Sequence, residues 1–271
     1  MRTLSMFQID AFAERLFTGN PAAVLILDEW LDDAMCQAIA AENNLAETAF
    51  ACRRDDESGI FELRWFTPTQ EVAFCGHATL ATAHVLATAY GIGGEITFAT
   101  REVGMLRVRP EGDRAYTLDL PSLPPREITP PQALAGLFPS GWRTVLQAMD
   151  NLFVVLESEA EVRGYNPDMV GILALTGLSL CITAPGDAAG PFDFVSRYFA
   201  PGVGIPEDPV TGSIHSSLVP YWADRLGRNA LAAFQASRRG GRLDCRLADD
   251  RVQVTGRALT FMEAEITLPV Q

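Results

Sequence analysis

The chain has 271 residues and a mass of 29.4 kDa, enough for one large domain or two ordinary ones of about 100–200 residues. Hydrophobic residues make up 48% and charged residues 20%, which excludes disordered and collagen-like chains and leaves ample material for real cores. The formal charge of −13 argues against nucleic acid or an anionic membrane as partner, since both need clustered basic residues. A small anionic or zwitterionic substrate held by local dipoles remains compatible with it.

All 21 basic residues are arginine. Without lysine there is no Schiff-base chemistry, so pyridoxal-phosphate enzymes and class I aldolases are excluded, as is a lysine-bearing P-loop. Five cysteines, at 36, 52, 75, 181 and 245, are odd in number and form no CxxC pair. That pattern fits a reducing cytosol better than a disulfide framework or zinc ribbon.

The first residues, MRTLSMFQIDAF, alternate and include Asp10. They read as a strand rather than a signal peptide, and no later apolar run is long enough to span a membrane. Asn20-PAAVLIL reads as a buried strand, 31–42 as a short helix, and Asn44-LAETAF50 as an apolar run interrupted by Glu47. Arg64-Trp-Phe-Thr-Pro68 is a strand stopped by proline. Gly76-HATLATAHVLATAY-Gly91 has glycine at both ends of a 16-residue helix; the second glycine is expected to close it in the left-handed region. This helix is apolar on nearly all faces, so it is expected to be buried. MLRVRP and AYTLDL alternate as strands. Residues 121–131, PSLPPREITPP, hold five prolines and make a semi-rigid linker.

Beyond the linker the same order returns. Asn151-LFVVLE is a buried strand, 167–176 a short helix, Arg197-Tyr-Phe-Ala-Pro201 a strand ending in proline, and Gly212-SIHSSLVPYWADRL-Gly227 a second 16-residue helix. LDCRL, RVQVTG and a last strand at 258–269 complete the chain. The offset between matching stretches is 131–136 throughout. Arginine precedes the helix glycine by 12 residues in the first copy and 15 in the second, a three-residue loop insertion. The chain therefore divides into two similar halves, 1–120 and 121–260, with the C-terminal strand 261–271 able to join the first. Short alternating strands around a buried helix indicate an α+β fold, mostly antiparallel, with twofold pseudo-symmetry.

Chemistry is expected where the halves face each other. Both long helices begin with glycine and a polar residue, Gly76-His77 and Gly212-Ser213. Helix starts offer unpaired amides and partial positive charge to a carboxylate. In Gly204-IPEDPVTGS213, Glu207 and Asp208 bring acid to the second helix entry, either as capping residues or as functional ones. Glu47 stands where the second copy, aligned at an offset of 133, has Leu180. A carboxylate kept in low dielectric can exchange protons near neutral pH; the alternative is a surface strand residue or a capping glutamate. Cys75 precedes a helix start, where a thiol is activated, or is a small buried residue.

No metal site is expected. His77 and His84 share a helical face but stand two turns, about 10 Å, apart. His84 reads as a satisfied core histidine, and His215 lies in the first turn of the second helix. Gly91-Ile-Gly-Gly94 comes after a helix and does not form a dinucleotide fingerprint. Arg238-Arg-Gly-Gly-Arg242 reads as a solvated basic hairpin turn.

Together these stretches resemble the PhzF-like phenazine-biosynthesis family, which by fold belongs with diaminopimelate epimerase and proline racemase. The resemblance runs through Asp10-Ala-Phe, Phe17-TGNPAAV24, Asn44-LAETAF50, Arg64-WFTP68, Glu71-VAFCGHATLATAH84, Arg197-YFAPGVGIPEDPVTGSIH215 and the Arg-Gly-Gly run at 239–241. It implies two pseudo-symmetric halves, each a strand barrel around a central helix, a site between them that needs no cofactor, and as a rule a homodimer; the cysteine usage adds the expectation of a cytoplasmic protein. The family's proton-shuttling glutamate falls on Glu47, its histidine on His77, and the aspartate and serine of its EDPxTGS motif on Asp208 and Ser213. Gly76, Gly212, Cys75 and Thr211 are expected to bind substrate or its negative charge. Related epimerases and racemases carry one cysteine per half; here Cys75 holds the first position and Thr211 the second, which disfavours a two-thiol epimerase. Phenazine-producing members carry Ala-Gly-His-Pro where this chain has Cys75-Gly-His-Ala78, a departure that bears on the substrate. The expectation is an isomerase that shifts a proton and a double bond in a small carboxylated, amino-bearing substrate. Its rivals are a non-catalytic ligand-binding or interaction protein and an epimerase or racemase.

Overall fold

The computed structural model describes residues 2–54 and 59–269 and shows a sheet-dominated α+β chain with few helices. It forms two compact units. One comprises the chain up to Asp119 together with the segment from Thr255, and the other comprises Leu120–Val254. The last two residues of the expected C-terminal strand, 270–271, lie outside the described residues.

The first unit opens with β1 (Arg2–Ala11), β2 (Asn20–Leu27), α1 (Asp33–Asn43), β3 (Glu47–Arg53), β4 (Phe61–Phe66) and β5 (Glu71–Val72). It continues with α2 (Gly76–Thr88), β6 (Ile96–Ala99), β7 (Met105–Gly112) and β8 (Ala115–Pro121). The second holds β9 (Arg126–Glu127), α3 (Leu134–Leu137), β10 (Thr144–Ala148), β11 (Asn151–Val155), α4 (Glu159–Gly164), α5 (Met169–Leu173) and β12 (Ser179–Pro185). It ends with β13 (Phe194–Ala200), β14 (Ile205–Asp208), α6 (His215–Leu226), β15 (Ala230–Gln235) and β16 (Gly241–Ala248), and β17 (Arg251–Leu268) runs on into the first unit.

The repeat seen in the sequence is a repeat of strand pairing. β2–β3 and β11–β12 are parallel; β3–β4 and β12–β13 are antiparallel; β4–β5 and β13–β14 are antiparallel; β4–β6 and β13–β15 are parallel. In the first unit the pairs form a cycle, because β6 pairs β7, β7 pairs β8, β8 pairs β17, β17 pairs β1, and β1 pairs β2. In the second, pairing runs through β9, β10, β11, β12, β13, β15 and β16.

The period of two along each strand sorts residues onto two faces. In the first unit Ala23, Leu25, Leu27, Phe50 and Cys52 pack with Cys36, Ile39 and Ala40 of α1. The alternate positions, Asn20, Ala22, Val24, Glu47, Ala49 and Ala51, therefore occupy the opposite face, and α2 packs against β1, β2, β3 and β7. Small residues on both partners let the helix approach closely, and every residue from Gly76 to Leu86 is buried. The expectation of a buried, non-amphipathic helix is met.

Three details differ from the sequence reading. Phe50 pairs with Arg64 in one unit, and Ile182 pairs with Arg197 in the other. The strand offset is thus 132, and the counterpart of Glu47 is Ser179, not Leu180. Leu180 belongs to the core on the other face, with Leu152, Val154 and Ile182; a one-residue slip exchanges the faces. The second helix begins at His215 rather than Gly212, because residues 212–214 wind as a turn with i→i+3 bonds, His215 N to Gly212 O at 3.2 Å and Ser216 N to Ser213 O at 3.0 Å. The first helix ends at Thr88 with a right-handed Ala89 cap, and Gly91 takes its positive φ of 68° beyond the helix. Gly227 does close α6 in the left-handed region.

Pro220 lies inside α6 and cannot donate to Ser216. The freed Ser216 carbonyl accepts from Leu123 N at 2.8 Å, and Ser217 Oγ donates to Leu123 O at 2.7 Å. The proline-rich stretch is thereby fastened to the helix rather than left as a free linker. All five cysteines are buried free thiols. Among the described residues no helix is long and apolar enough to cross a membrane.

Gly19 precedes the Asn20 face position with φ of +69°, and an added Cβ would overlap the Ala11 carbonyl oxygen. Gly19→Ala is expected to lose more than about 1 kcal/mol of stability, read as a lowered urea midpoint at unchanged m-value.

Candidate active site

In the first unit three strand and helix starts deliver polar side chains to the α2 face. Asn20 opens β2, Glu47 opens β3, and Cys75 is the N-cap of α2, two residues before His77. The parallel register sets Glu47 opposite Ala22, which keeps it near Asn20. His77 Nε2 lies 3.1 Å from Glu47 Oε2, and His77 Nδ1 lies 3.1 Å from Asn20 Nδ2 and 3.4 Å from Cys75 Sγ. Glu47 is 8% exposed and His77 3%. Glu47 Oε2 is buried with no hydrogen-bond donor in bonding geometry among the described residues; its contact with His77 is close but poorly aligned.

Burial alone would drive His77 toward the neutral form, yet its affinity for a proton is raised well above that of a free imidazole by the anionic groups facing it. Cys75 is not that anion near neutral pH. Burial, and then the negative charge of Glu47, push its thiol up to about 11. The Glu47 carboxylate is therefore the partner that holds a proton on His77. Of the two sequence readings of Cys75, the buried one holds: desolvation outweighs helix-start activation and disfavours the thiolate. α2 has no side-chain cap, so the Gly76 and His77 amides at its start have no side-chain acceptor.

His84 plays no part in this cluster. Its Nδ1 lies 3.1 Å from the Tyr116 hydroxyl and its Nε2 3.0 Å from Thr260 Oγ1, the satisfied core histidine read from the sequence.

In the second unit Asp208 ends β14 and is buried. Thr211 Oγ1 donates to Asp208 Oδ2 at 2.5 Å. Gln235, the last residue of β15 and fully buried, ties this corner together. Its Oε1 accepts from Thr211 N at 2.7 Å, and its Nε2 donates to Asp208 O at 2.8 Å and to Thr211 Oγ1 at 3.1 Å. His215 is fully buried with Nδ1 2.9 Å from Thr211 O. Gly212 and Ser213 lie in the turn that leads into α6, and Ser213 is half-buried. Thr211 thus serves as a hydroxyl donor to Asp208.

Sequence reasoning did not single out Asn20 as a site residue, nor Gln235. Asn20 showed only as the start of an apolar strand. A buried polar residue directly after a tight Thr-Gly turn was the available signal. Gln235 carried none, because only the parallel β13–β15 pairing brings it to residues 24 and 27 positions earlier.

Gln235→Leu would strand the Thr211 amide and the Asp208 carbonyl in a buried setting. It is expected to cost about 2–3 kcal/mol, measurable by denaturant unfolding with a probe in the second unit such as Trp222. Burial pushes both His84 and His215 down to about 4, with Arg114 adding to the effect at His84. Both rings are neutral when folded and take up a proton on unfolding in acid. Their contribution is complete above pH ~6.5, the unfolded value, and is lost progressively as pH falls toward ~4. Unfolding midpoints measured across that interval should fall, and fall less steeply in His84→Gln.

The sequence profile of the phenazine biosynthesis-like family, PhzC-PhzF, matches residues 9–264. A Pseudomonas aeruginosa protein described as an uncharacterized isomerase is 47% identical over 266 residues, covering 98% of this chain and 99% of that protein. A crystal structure of a PhzF-family phenazine biosynthesis protein from Enterococcus faecalis superposes with a TM-score of 0.92 at 40% identity, covering 98% of this chain and all of the other. A structure described as a predicted epimerase from Pseudomonas aeruginosa matches with a TM-score of 0.73 at 25% identity over 98% of this chain and all of the other. With curated relatives named isomerases and the family profile spanning nearly its whole length, the chain belongs to the PhzF-like phenazine biosynthesis family.

Proposed function

We propose that the protein is an isomerase that needs no cofactor and moves a proton, with a double bond, within a small carboxylated, amino-bearing substrate. The observation that carries this reading is the buried Glu47 Oε2, without a hydrogen-bond donor in bonding geometry and 3.1 Å from His77 Nε2. Such an oxygen is charge-paired with His77 but not held in a well-aligned hydrogen bond, which leaves a lone pair to accept a substrate proton.

Glu47 takes the proton from carbon, and the electron pair delocalises toward the substrate carboxylate. The first-turn amides of α2, from Gly76 and His77, stabilise the developing enolate charge. Glu47 then returns the proton to a different carbon of the same face, so atoms and charge balance without another reagent. His77, held protonated beside Glu47, donates to a substrate heteroatom and keeps the shuttle oriented, while Asn20, with its amide turned so that the carbonyl accepts from Nδ1–H, fixes its ring. In the second unit, Asp208 with Thr211 and Gln235 offers a fixed acceptor suited to an amino or hydroxyl group, and Gly212 and Ser213 offer turn amides and a hydroxyl.

Stereoinversion requires a base on each face of the reacting carbon. By sequence match Thr211 takes the place of the second cysteine of related epimerases, and its hydroxyl donates to Asp208. That supports proton transfer on a single face. The departure at Cys75-Gly-His-Ala78 leaves the identity of the substrate to experiment.

Wild type and Glu47→Gln are to be compared by NMR in D₂O with a panel of small cyclic and acyclic amino acids, including dihydro-hydroxyanthranilate. The expected result is deuterium incorporation or double-bond movement in wild type that drops by about 10²–10⁴ in the variant, with binding retained because the side chain keeps its shape. Exchange that persists in Glu47→Gln removes Glu47 from the mechanism. Specific binding of one compound without exchange would favour a ligand-binding protein.

A further inference from the structure

Three donors of different chemistry meet at the start of α2: a carboxylate of Glu47, the Cys75 thiol and an imidazole nitrogen of His77, all within 4.8 Å of one another and all buried. We propose that they form a binding site for a thiophilic divalent cation of the zinc type, which occupies the resting site and competes with substrate. Binding itself stands on this geometry alone; the competition rests on the proton-transfer reading above.

Zinc bonds of about 2.0–2.3 Å at tetrahedral angles place neighbouring donors about 3.3–3.6 Å apart. His77 Nε2 lies 3.1 Å from Glu47 Oε2 and 4.0 Å from Cys75 Sγ, so small side-chain shifts bring all three onto one ion. Glu47 Oε2 supplies an independent indication, since it is buried and aimed at His77 without a donor in bonding geometry. A cation satisfies it directly.

The ring is also held from its far side. Asn20 sits 3.1 Å from Nδ1 and can present either its N–H₂ or its carbonyl, so it supports the tautomer that frees Nε2 for a metal. Coordination uses the thiolate and the neutral imidazole, so the Cys75 proton and the His77 Nε2 proton both leave to solvent as the metal–sulfur and metal–nitrogen bonds form. One thiolate and one imidazole select zinc, cadmium or cobalt over magnesium and calcium. Three protein ligands leave a fourth position open, available to water.

Histidine spacing along α2 could not disclose this site. His84 is bonded to Tyr116 and Thr260, and the remaining ligand, Glu47, comes from a strand 30 residues before His77 in sequence. The site also separates the chain from members with alanine before the Gly-His pair, which lack the sulfur.

The test is titration of the metal-free full-length protein with Co²⁺, followed by competition with Zn²⁺ and with Mg²⁺ as control. The expected result is one Co²⁺ per chain with a thiolate-to-cobalt charge-transfer band, displaced by Zn²⁺ and untouched by Mg²⁺. Cys75→Ser should lose the band, and Glu47→Gln should bind Zn²⁺ about tenfold or more weakly. Cys36→Ser, away from the site, should leave both unchanged, and circular dichroism of each metal-free variant confirms its fold. Cobalt bound without a thiolate band, or zinc affinity unaltered in folded Glu47→Gln, overturns the site. Proton exchange by the metal-free wild type is measured separately. If it persists when the cobalt test fails, the metal site falls and the isomerase stands; if zinc binds but exchange is absent in the metal-free protein, the reverse holds.

Discussion

Each unit is built on a buried arginine clasped by a glutamate across a short hairpin. Arg64 on β4 is 4% exposed and bonds Glu71 on β5 through Nε and Nη2, both at 2.8 Å. Arg197 on β13 bonds Glu207 on β14 at 2.7 and 3.1 Å. Each guanidinium also lies over a phenylalanine two residues on, Phe66 at 4.9 Å and Phe199 at 5.1 Å. The planar fork suits two carboxylate oxygens and an aromatic face at once, which a lysine ammonium does not. Removing Glu207 would leave the buried Arg197 without a carboxylate, at about 3–5 kcal/mol, whereas Arg64 would keep Asp33.

That clasp matters because each hairpin leads straight into site residues. In the first unit the chain runs from Glu71 directly to Cys75 and His77. In the second it runs from Glu207 to Asp208 and Thr211. Fixing the hairpin fixes the entry to the helix, and a helix start carries unpaired amides whose value to a ligand depends on their aim. The remaining donors of Arg64 reach Asp33 at the start of α1, and those of Arg197 reach the carbonyls of Val162 and Tyr165. The same residue therefore also ties the outer helices to the sheet.

The two units have kept the frame and diverged in the chemistry. Glu47, Cys75 and His77 in the first correspond in position to Ser179, Thr211 and Ser213 in the second. The second unit instead carries Asp208, whose carboxylate is held by a threonine hydroxyl and whose main chain is held by a buried glutamine. The Asp208 carboxylate is thus engaged by a hydroxyl, whereas the Glu47 carboxylate faces an imidazole. Burial explains the division among the histidines as well. Burial prevails at His84 and His215, which are held neutral, while at His77 the facing Cys75 and Glu47 groups outweigh burial and raise the affinity for a proton.

The repeat, the buried character of the Gly76 helix, the place of the two arginines and the residues Glu47, His77 and Asp208 were all legible along the chain. Each leaves a one-dimensional trace: a constant offset, an apolar run without a polar stripe, a charge in an apolar stretch. The remaining features exist only in three dimensions. The face each strand residue occupies depends on hydrogen-bond register, and a slip of one residue separates Ser179 from Leu180. Asn20 and Gln235 gain their roles from parallel pairings between distant strands, which leave no local pattern. Whether Cys75 is thiol or thiolate depends on the balance of helix-start amides against burial and a nearby carboxylate, a sum over neighbours in space that spacing along the chain does not contain.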